Sequence, residues 1–307
     1  MSGWRAALVA VAVGAVILAA GFVFGRDEGP SVSQPDDGGG VALACAPGLE
    51  SACRVVAAEL GVPYRTWSVG SGVPDRTVVV APAADLPDGL EAGPVILRSP
   101  IVIGAWRQRA LVLLSRCGAL DFECVAGALG MSWSEIGGSP EWGDVKLGLA
   151  DPAASEEGML AWSAAASLAD PENMALSITL VASSDGRLAS DMVLFGDSRA
   201  DLAITTEAAL AGQMANAPGR GGRIEVFYPV SSPWVEYVAA GRGRGVSSLK
   251  ERLSAPELEP LWAAAGVRSA VHQVSTLLDG LGQPGSVDPA PDSPSRGRLL
   301  TDWKEVR

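Results

Sequence analysis

Between residues 41 and 280, short runs of Val, Ile, Leu and Ala alternate with helix-length segments, and this alternation sets most of what the chain can fold into. VALACA (41–46), TVVVAPA (77–83), the two apolar runs of GPVILRSPIVIGAW (93–106), DVKLGLA (144–150), DLAIT (201–205) and RIEVFYPV (223–230) have the length and branching of strands. LESACRVVAAEL (49–60), closed by Gly61, reads as a helix, as do ASEEGMLAWSAAASLA (154–169) and TEAALAGQMA (206–215). SSPWVEYVAAG (231–241) and SAPELEPLWAAAG (254–266) carry helix-start signals too: Ser232 before Pro233, and Ser254 three residues ahead of Glu257. Ser155 stands where it can cap its helix, with Glu156 and Glu157 in the first turn. Strands joined through helices predict an α/β fold with mainly parallel sheets covered on both faces. In such sheets ligands sit beyond the carboxyl ends of the strands.

The flanks differ from this middle. Residues 6–24, AALVAVAVGAVILAAGFVF, contain no charge. As a helix rising about 1.5 Å per residue they nearly span a bilayer core. Arg5 precedes them, which puts the N-terminus in the cytoplasm and the remainder outside. A cleaved signal peptide is the competing reading. The run is long, however, and ends in Phe22, Val23 and Phe24, which suits a retained anchor. The expected plan is a cytoplasmic stub and transmembrane helix (1–25), a flexible linker (26–40), the folded region, and a proline-rich disordered tail (281–307). The protein is expected in the cell membrane, single-pass, with its C-terminal domain extracellular. Outside the cytoplasm, Cys45, Cys53, Cys117 and Cys124 are expected to form disulfides. Four cysteines allow three pairings, of which the local one, 45–53 and 117–124, is the simplest.

Charge and motifs exclude several functions. Acidic residues outnumber basic ones, 35 to 23, so the cationic face of a nucleic-acid binder is not expected. His272 is the sole histidine, so a histidine-rich metal site is excluded, and no metal or cofactor is expected. Gly70-Ser71-Gly72 lacks the frame of a nucleophile elbow, and GRGRG (241–245) lacks the strand that a dinucleotide fingerprint follows. An enzyme is not expected.

Four segments in order carry a resemblance to a known family: RSPIVIGAW (98–106), WGDVKLGLADPAASEEGMLAW (142–162), ADLAITTEAAL (200–210) and VFYPVSSPW (226–234). LKERLSAPELEPLWAAAGVR (249–268) adds a weaker match. The set resembles bacterial extracellular solute-binding proteins of the type II periplasmic-binding fold. It is nearest the molybdate-binding-protein-like group with its membrane-anchored actinobacterial members. The resemblance implies two lobes, 41–98 with 206–280 and 99–205, enclosing a ligand cleft. It further implies that Ser99, Ser155, Glu156, Thr205, Thr206, Glu207 and Tyr228 face that cleft. Each has an ordinary structural role as well: shaping a crossover before Pro100, capping a helix, or half-burying a strand tyrosine.

One departure bears on the ligand. RTVVVAPAADLPDG (76–89) has no hydroxyl beyond Thr77, in the stretch where relatives help to hold their solute. In addition, Glu156 and Glu157 occupy a helix start, where they repel an oxyanion. The expected solute is therefore a neutral or cationic organic molecule, its identity unknown. The sequence predicts a membrane-anchored extracellular solute-binding protein partnered by a transporter permease or a von Willebrand factor A protein. The alternative is a ligand-free domain of the same fold that binds another envelope protein or the cell wall.

Overall fold

The runs ALAC and TVVVAP become β1 (Ala42–Cys45) and β3 (Thr77–Pro82), and every residue of both is buried, as continuous apolar strands require. β2 (Tyr64–Thr66) lies on the far side of β1. The remaining strands are β4 (Val95–Trp106), β5 (Leu147–Ala150), β6 (Ile178–Ala182), β7 (Leu202–Thr206), β8 (Ile224–Phe227), β9 (Ser231–Arg242), β10 (Arg268–Ser269) and β11 (Ser286–Asp288). They pair in the order β2-β1-β3-β9-β4-β7-β5-β6, with β8 and β10 on β4 and β11 on β9. This computed structural model describes residues 40–166, 170–270 and 286–306. The expected transmembrane segment 6–24, the linker up to residue 39 and His272 lie outside the described residues. Among the described residues, no helix is long and apolar enough to cross a membrane.

The expected mainly parallel sheet is corrected to one of mixed direction. β1 runs parallel to β2 and β3, β5 to β6 and β7, and β11 to β9. β9 runs antiparallel to β3 and β4, and β4 antiparallel to β7, β8 and β10. The cause is the pair of 12-residue strands β4 and β9, which run against their neighbours in the centre. β9 also corrects the helix expected over 231–241. Its Ser-Ser-Pro start imitates a capped helix, but the segment pairs along both edges, and those ladders outweigh local preference. Ser254 likewise caps no helix start. It follows the helix Val246–Leu253 and donates to the Lys250 carbonyl, and Pro256 delays the next helix to Glu259–Ala264.

β4 divides the molecule. Its residues up to Pro100 pair with β9, and those from Ile101 onward pair with β7. Half one thus holds β1, β2, β3, β9 and β10, and half two holds β5, β6 and β7. β8, expected in lobe one, pairs instead with the second part of β4. A single apolar cluster runs through both halves, from Leu43, Val79 and Tyr237 to Ile101, Leu147 and Ile204.

Both cysteine pairs are the local ones, Cys45–Cys53 and Cys117–Cys124. The first joins the end of β1 to the helix Glu50–Leu60 and so brackets the turn Pro47–Leu49. Gly61, at φ 63°, closes that helix as expected. The tail is corrected for residues 286–306. β11 adds to β9, and the helix Ser293–Val306 docks on the helix Glu156–Ala166. Trp162 Nε1 donates to the Leu299 carbonyl at 2.8 Å, and Trp303 meets the Trp162 ring edge-on at 5.0 Å. Prolines dominate the tail's composition, but a few apolar side chains are enough to seat it.

Candidate functional site

Strand ends and helix starts from both halves meet along one seam. From half one come the turn Pro47–Leu49 after β1 and the turn Ala83–Asp85 after β3. From half two come the starts of the helices Glu156–Ala166 after β5 and Asp185–Phe195 after β6. The helix Glu207–Asn216 begins directly after β7. The seam is closed. Asp85 Oδ1 accepts the Glu156 N–H at 2.9 Å across it. A Cβ on Gly186 would sit 2.3 Å from the Pro47 carbonyl oxygen, so only glycine permits this approach. A Cβ on Gly48 would lie 3.7 Å from Glu157 Oε1 and from Thr206 Oγ1.

The residues expected to line a cleft are spread over several jobs. Ser99 is buried and its hydroxyl accepts the Ala208 N–H at 3.0 Å, capping the Glu207 helix from β4. Ser155 accepts the Gly158 N–H at 3.1 Å, and Thr206 accepts the Ala209 N–H at 3.3 Å. Glu156 pairs with Arg296 of the docked C-terminal helix. Glu207 takes a two-pronged ion pair from Arg268, at 2.6 and 3.0 Å, and the Tyr228 hydroxyl at 2.8 Å. The Arg268 guanidinium also lies over the rings of Tyr228 and Trp234. Burial and the Glu207 charge push the Tyr228 hydroxyl up from its usual pKa. Thr205 is fully buried, and its hydroxyl has no hydrogen-bond partner. Ser155, Thr205 and Thr206 therefore reach the seam, whereas Glu207 and Tyr228 belong to the Arg268 cluster.

Three carboxyls dominate the seam: Asp85 and Asp185, which the sequence did not single out, and Glu157, which it placed only as a helix-start acid that repels an oxyanion. Each is buried and each keeps one oxygen without a partner. This is not a general habit of the chain. Buried Asp201 receives the Arg109 Nε, the Trp133 Nε1 and the Lys146 N–H, all at 2.9 Å. Among the described residues a fourth carboxylate oxygen, Asp191 Oδ1, has no hydrogen bond, but it lies 3.0 Å from Arg187 Nε. Only the seam, among the described residues, leaves buried carboxyl oxygens uncompensated. The Tyr237 hydroxyl, also buried without a partner, points into the same field of Glu157, Asp185 and Asp85.

Burial disfavours the charged form of such groups. It pushes Asp85 up to about 7, against the Glu156 N–H that favours the anion, with the charges of Glu156 and Asp185 pushing upward and Arg296 downward. It raises Asp185 to about 6 against the Thr206 N–H, which donates to Oδ2 at 2.9 Å, and against the neighbouring hydroxyls of Thr206 and Thr205. Glu157 stands well above the ordinary carboxyl range through burial, followed by the charges of Asp85 and Asp185. The cluster thus holds protons near neutrality. Among the described residues, no three His, Cys, Asp or Glu side chains are placed to hold a metal ion. Beside the seam opens a groove of about 530 Å³, walled by Pro82 and Ala83, by Glu156 and Leu160, by Trp234, and by Pro289 of the tail.

The missed residues had signals. Asp85 stands in the turn after an apolar strand. Asp185 follows Ser184, whose hydroxyl accepts the Arg187 N–H and caps the helix after β6. Neither β6 nor that helix is among the elements expected from the sequence.

No protein-family model matches the chain, and no curated protein matches it. Solved structures do. The periplasmic binding protein AfuA from Actinobacillus pleuropneumoniae, with fructose-6-phosphate bound, is similar at a TM-score of 0.54 and 14% identity, over 87% of this chain and 98% of that one. The GacH receptor of Streptomyces glaucescens, solved unliganded and with acarbose, is similar at a TM-score of 0.50 and 10% identity, over 87% of this chain and 94% of that one. The chain has the mixed α/β, two-lobed fold of solute-binding proteins.

Proposed function

We propose that the chain is a membrane-anchored extracellular solute-binding protein that captures a small molecule between its two halves. The observation that carries this reading is the seam itself. Asp85 from one half, and Glu157 and Asp185 from the other, converge with oxygens that nothing in the described chain satisfies. Folding alone selects against such a cluster, because each unpartnered buried polar group costs about 1–3 kcal/mol. A binding site needs one. The closed contact between Pro47 and Gly186 is the geometry expected when the halves shut on a solute and exclude water. The two similar proteins hold a phosphorylated sugar and acarbose, which supports the same use of this fold. The anchor rests on residues 6–24, and a transporter permease or a von Willebrand factor A protein is the expected membrane partner.

The helix caps made by Ser99, Ser155 and Thr206 favour a second reading, in which the fold is kept and the solute lost. A thermal-shift screen of the ectodomain against amines, amino acids, sugars and phosphorylated sugars separates the two. A ligand held by the folded state raises the melting temperature with the logarithm of its saturation. At least one class stabilises the protein on the first reading. No shift from any class, up to millimolar concentration, overturns it.

A further inference from the structure

We infer that the seam binds a compact organic cation, a primary ammonium group held by Asp85, Glu157 and Asp185, and that the cation replaces protons on binding. This rests on the solute-binding reading and names the chemical class of its ligand.

The argument starts from charge. A buried cluster of three carboxyls cannot remain fully ionised, and only protons or a cation can neutralise it. Among the described residues, none brings a cation into the cluster. Arg296, the guanidinium that faces it, is engaged with Glu156 at the edge, and Arg268 is held by Glu207. The other ionisable groups facing the carboxyls are Glu156 and the Tyr237 hydroxyl. Neither adds positive charge. The uncompensated atoms are Asp85 Oδ2, Glu157 Oε1, Asp185 Oδ1, the Thr205 hydroxyl and the Tyr237 hydroxyl, all oxygens able to accept. An ammonium group presents three N–H donors and no acceptor, which is the complement of this set.

The carboxyls are not drawn into the tight shell that a metal ion requires, so separated N–H donors suit them better. A phosphate or sulfate would meet repulsion from all three. Size is limited as well, because Gly48 and Gly186 bring the Pro47 turn into van der Waals contact with half two. Binding needs the anionic form of at least one carboxyl that otherwise keeps its proton, so the affinity of the cation rises with pH as protons are released.

The probes are ethylammonium and 1,4-diaminobutane, compared with neutral 1-propanol, glucose, fructose 6-phosphate and calcium chloride. Thermal shift is followed by calorimetry at pH 6, 7 and 8 in two buffers of different ionisation enthalpy. The expected result is stabilisation by the amines alone. Their dissociation constant tightens about tenfold per pH unit for each proton released, and the calorimetric heat reports that release directly. Glu157→Gln, which imitates the protonated carboxyl, and Asp185→Asn each weaken the amines at least tenfold. The wild-type proton release tests the inference even if a variant fails to fold. Stabilisation by glucose or fructose 6-phosphate without the amines overturns the cation inference and leaves the solute reading standing. Calcium binding in preference to the amines overturns it in favour of a metal. Amine binding without proton release, or unchanged in both variants, places the amine elsewhere and overturns it too. Stabilisation by none of the probes overturns the cation, and a blank in the wider screen removes the solute reading with it.

Discussion

Without ligand, the protein loses stability as the pH rises from 5 to 8, and replacing Asp85 with asparagine removes much of that loss. Asp85 is pushed from its ordinary 3.8 to about 7 and is only 8% exposed, so solvent screens it little. In the folded state it keeps its proton over a range where the unfolded chain has given it up. Stability is therefore fully present below pH 4 and is lost as the pH climbs through 7. Three pH units correspond to about 4 kcal/mol, at about 1.36 kcal/mol per unit. Asp185, raised to about 6, acts with the same sign in a window that closes one unit lower. The two share a field and do not add in full, so the expected loss between pH 5 and 8 is about 3–4 kcal/mol. Glu135 and Asp292, lowered by hydrogen bonds from Ser132 and Ser295, pull the other way, but only in the acid range below this window. The measurement is urea unfolding of wild type and Asp85→Asn at pH 5, 6, 7 and 8, at constant ionic strength. The amide oxygen of the substituted side chain can still accept the Glu156 N–H, so the fold is retained. The difference between the two curves isolates the contribution of Asp85. The variant's curve is expected to be flatter by about 2–3 kcal/mol across the range. Parallel curves, or a wild type that gains stability toward pH 8, would refute the account of the seam.

Gly186→Ala drives a methyl group toward the Pro47 carbonyl and is expected to destabilise the closed form by about 1–3 kcal/mol, with a larger radius of gyration in solution scattering. Arg268→Ala strands the buried Glu207 charge and should cost about 3–5 kcal/mol in a urea titration; adding Glu207→Gln recovers part of the loss. Removing the first disulfide by Cys45→Ala with Cys53→Ala should lower unfolding stability by about 2–3 kcal/mol in guanidinium, since the bond closes a short loop.

Much of the fold is legible in the sequence because its signals are local. β1, β3, β5 and β7 are fully buried and mostly apolar, with Thr only at the start of β3 and the end of β7. Gly61 and Ser155 end and start their helices as their chemistry dictates. Cysteines seven and eight residues apart pair with each other. The errors share a different cause. β9 is a strand because β3 and β4 lie on either side of it, and nothing within 231–242 announces those partners. The tail docks through Leu299 and Trp303 on a surface that exists only after the Glu156 helix has packed. The site follows the same rule. Ser155 and Thr206 are visible as cap residues, but Asp85 has the pattern of a turn aspartate and Glu157 that of an ordinary first-turn acid. What makes them a pair is the closure of two halves more than 70 residues apart in sequence, and no local pattern carries that.

The Cys45–Cys53 bond encloses Pro47, Gly48 and Leu49, and the backbone of those residues packs against the acidic seam, Pro47 against Gly186 and Gly48 facing Glu157. A chain with both thiols reduced keeps its scaffold strands but loses the covalent restraint on that turn. Mild reduction should therefore loosen this turn before it melts the rest of the molecule.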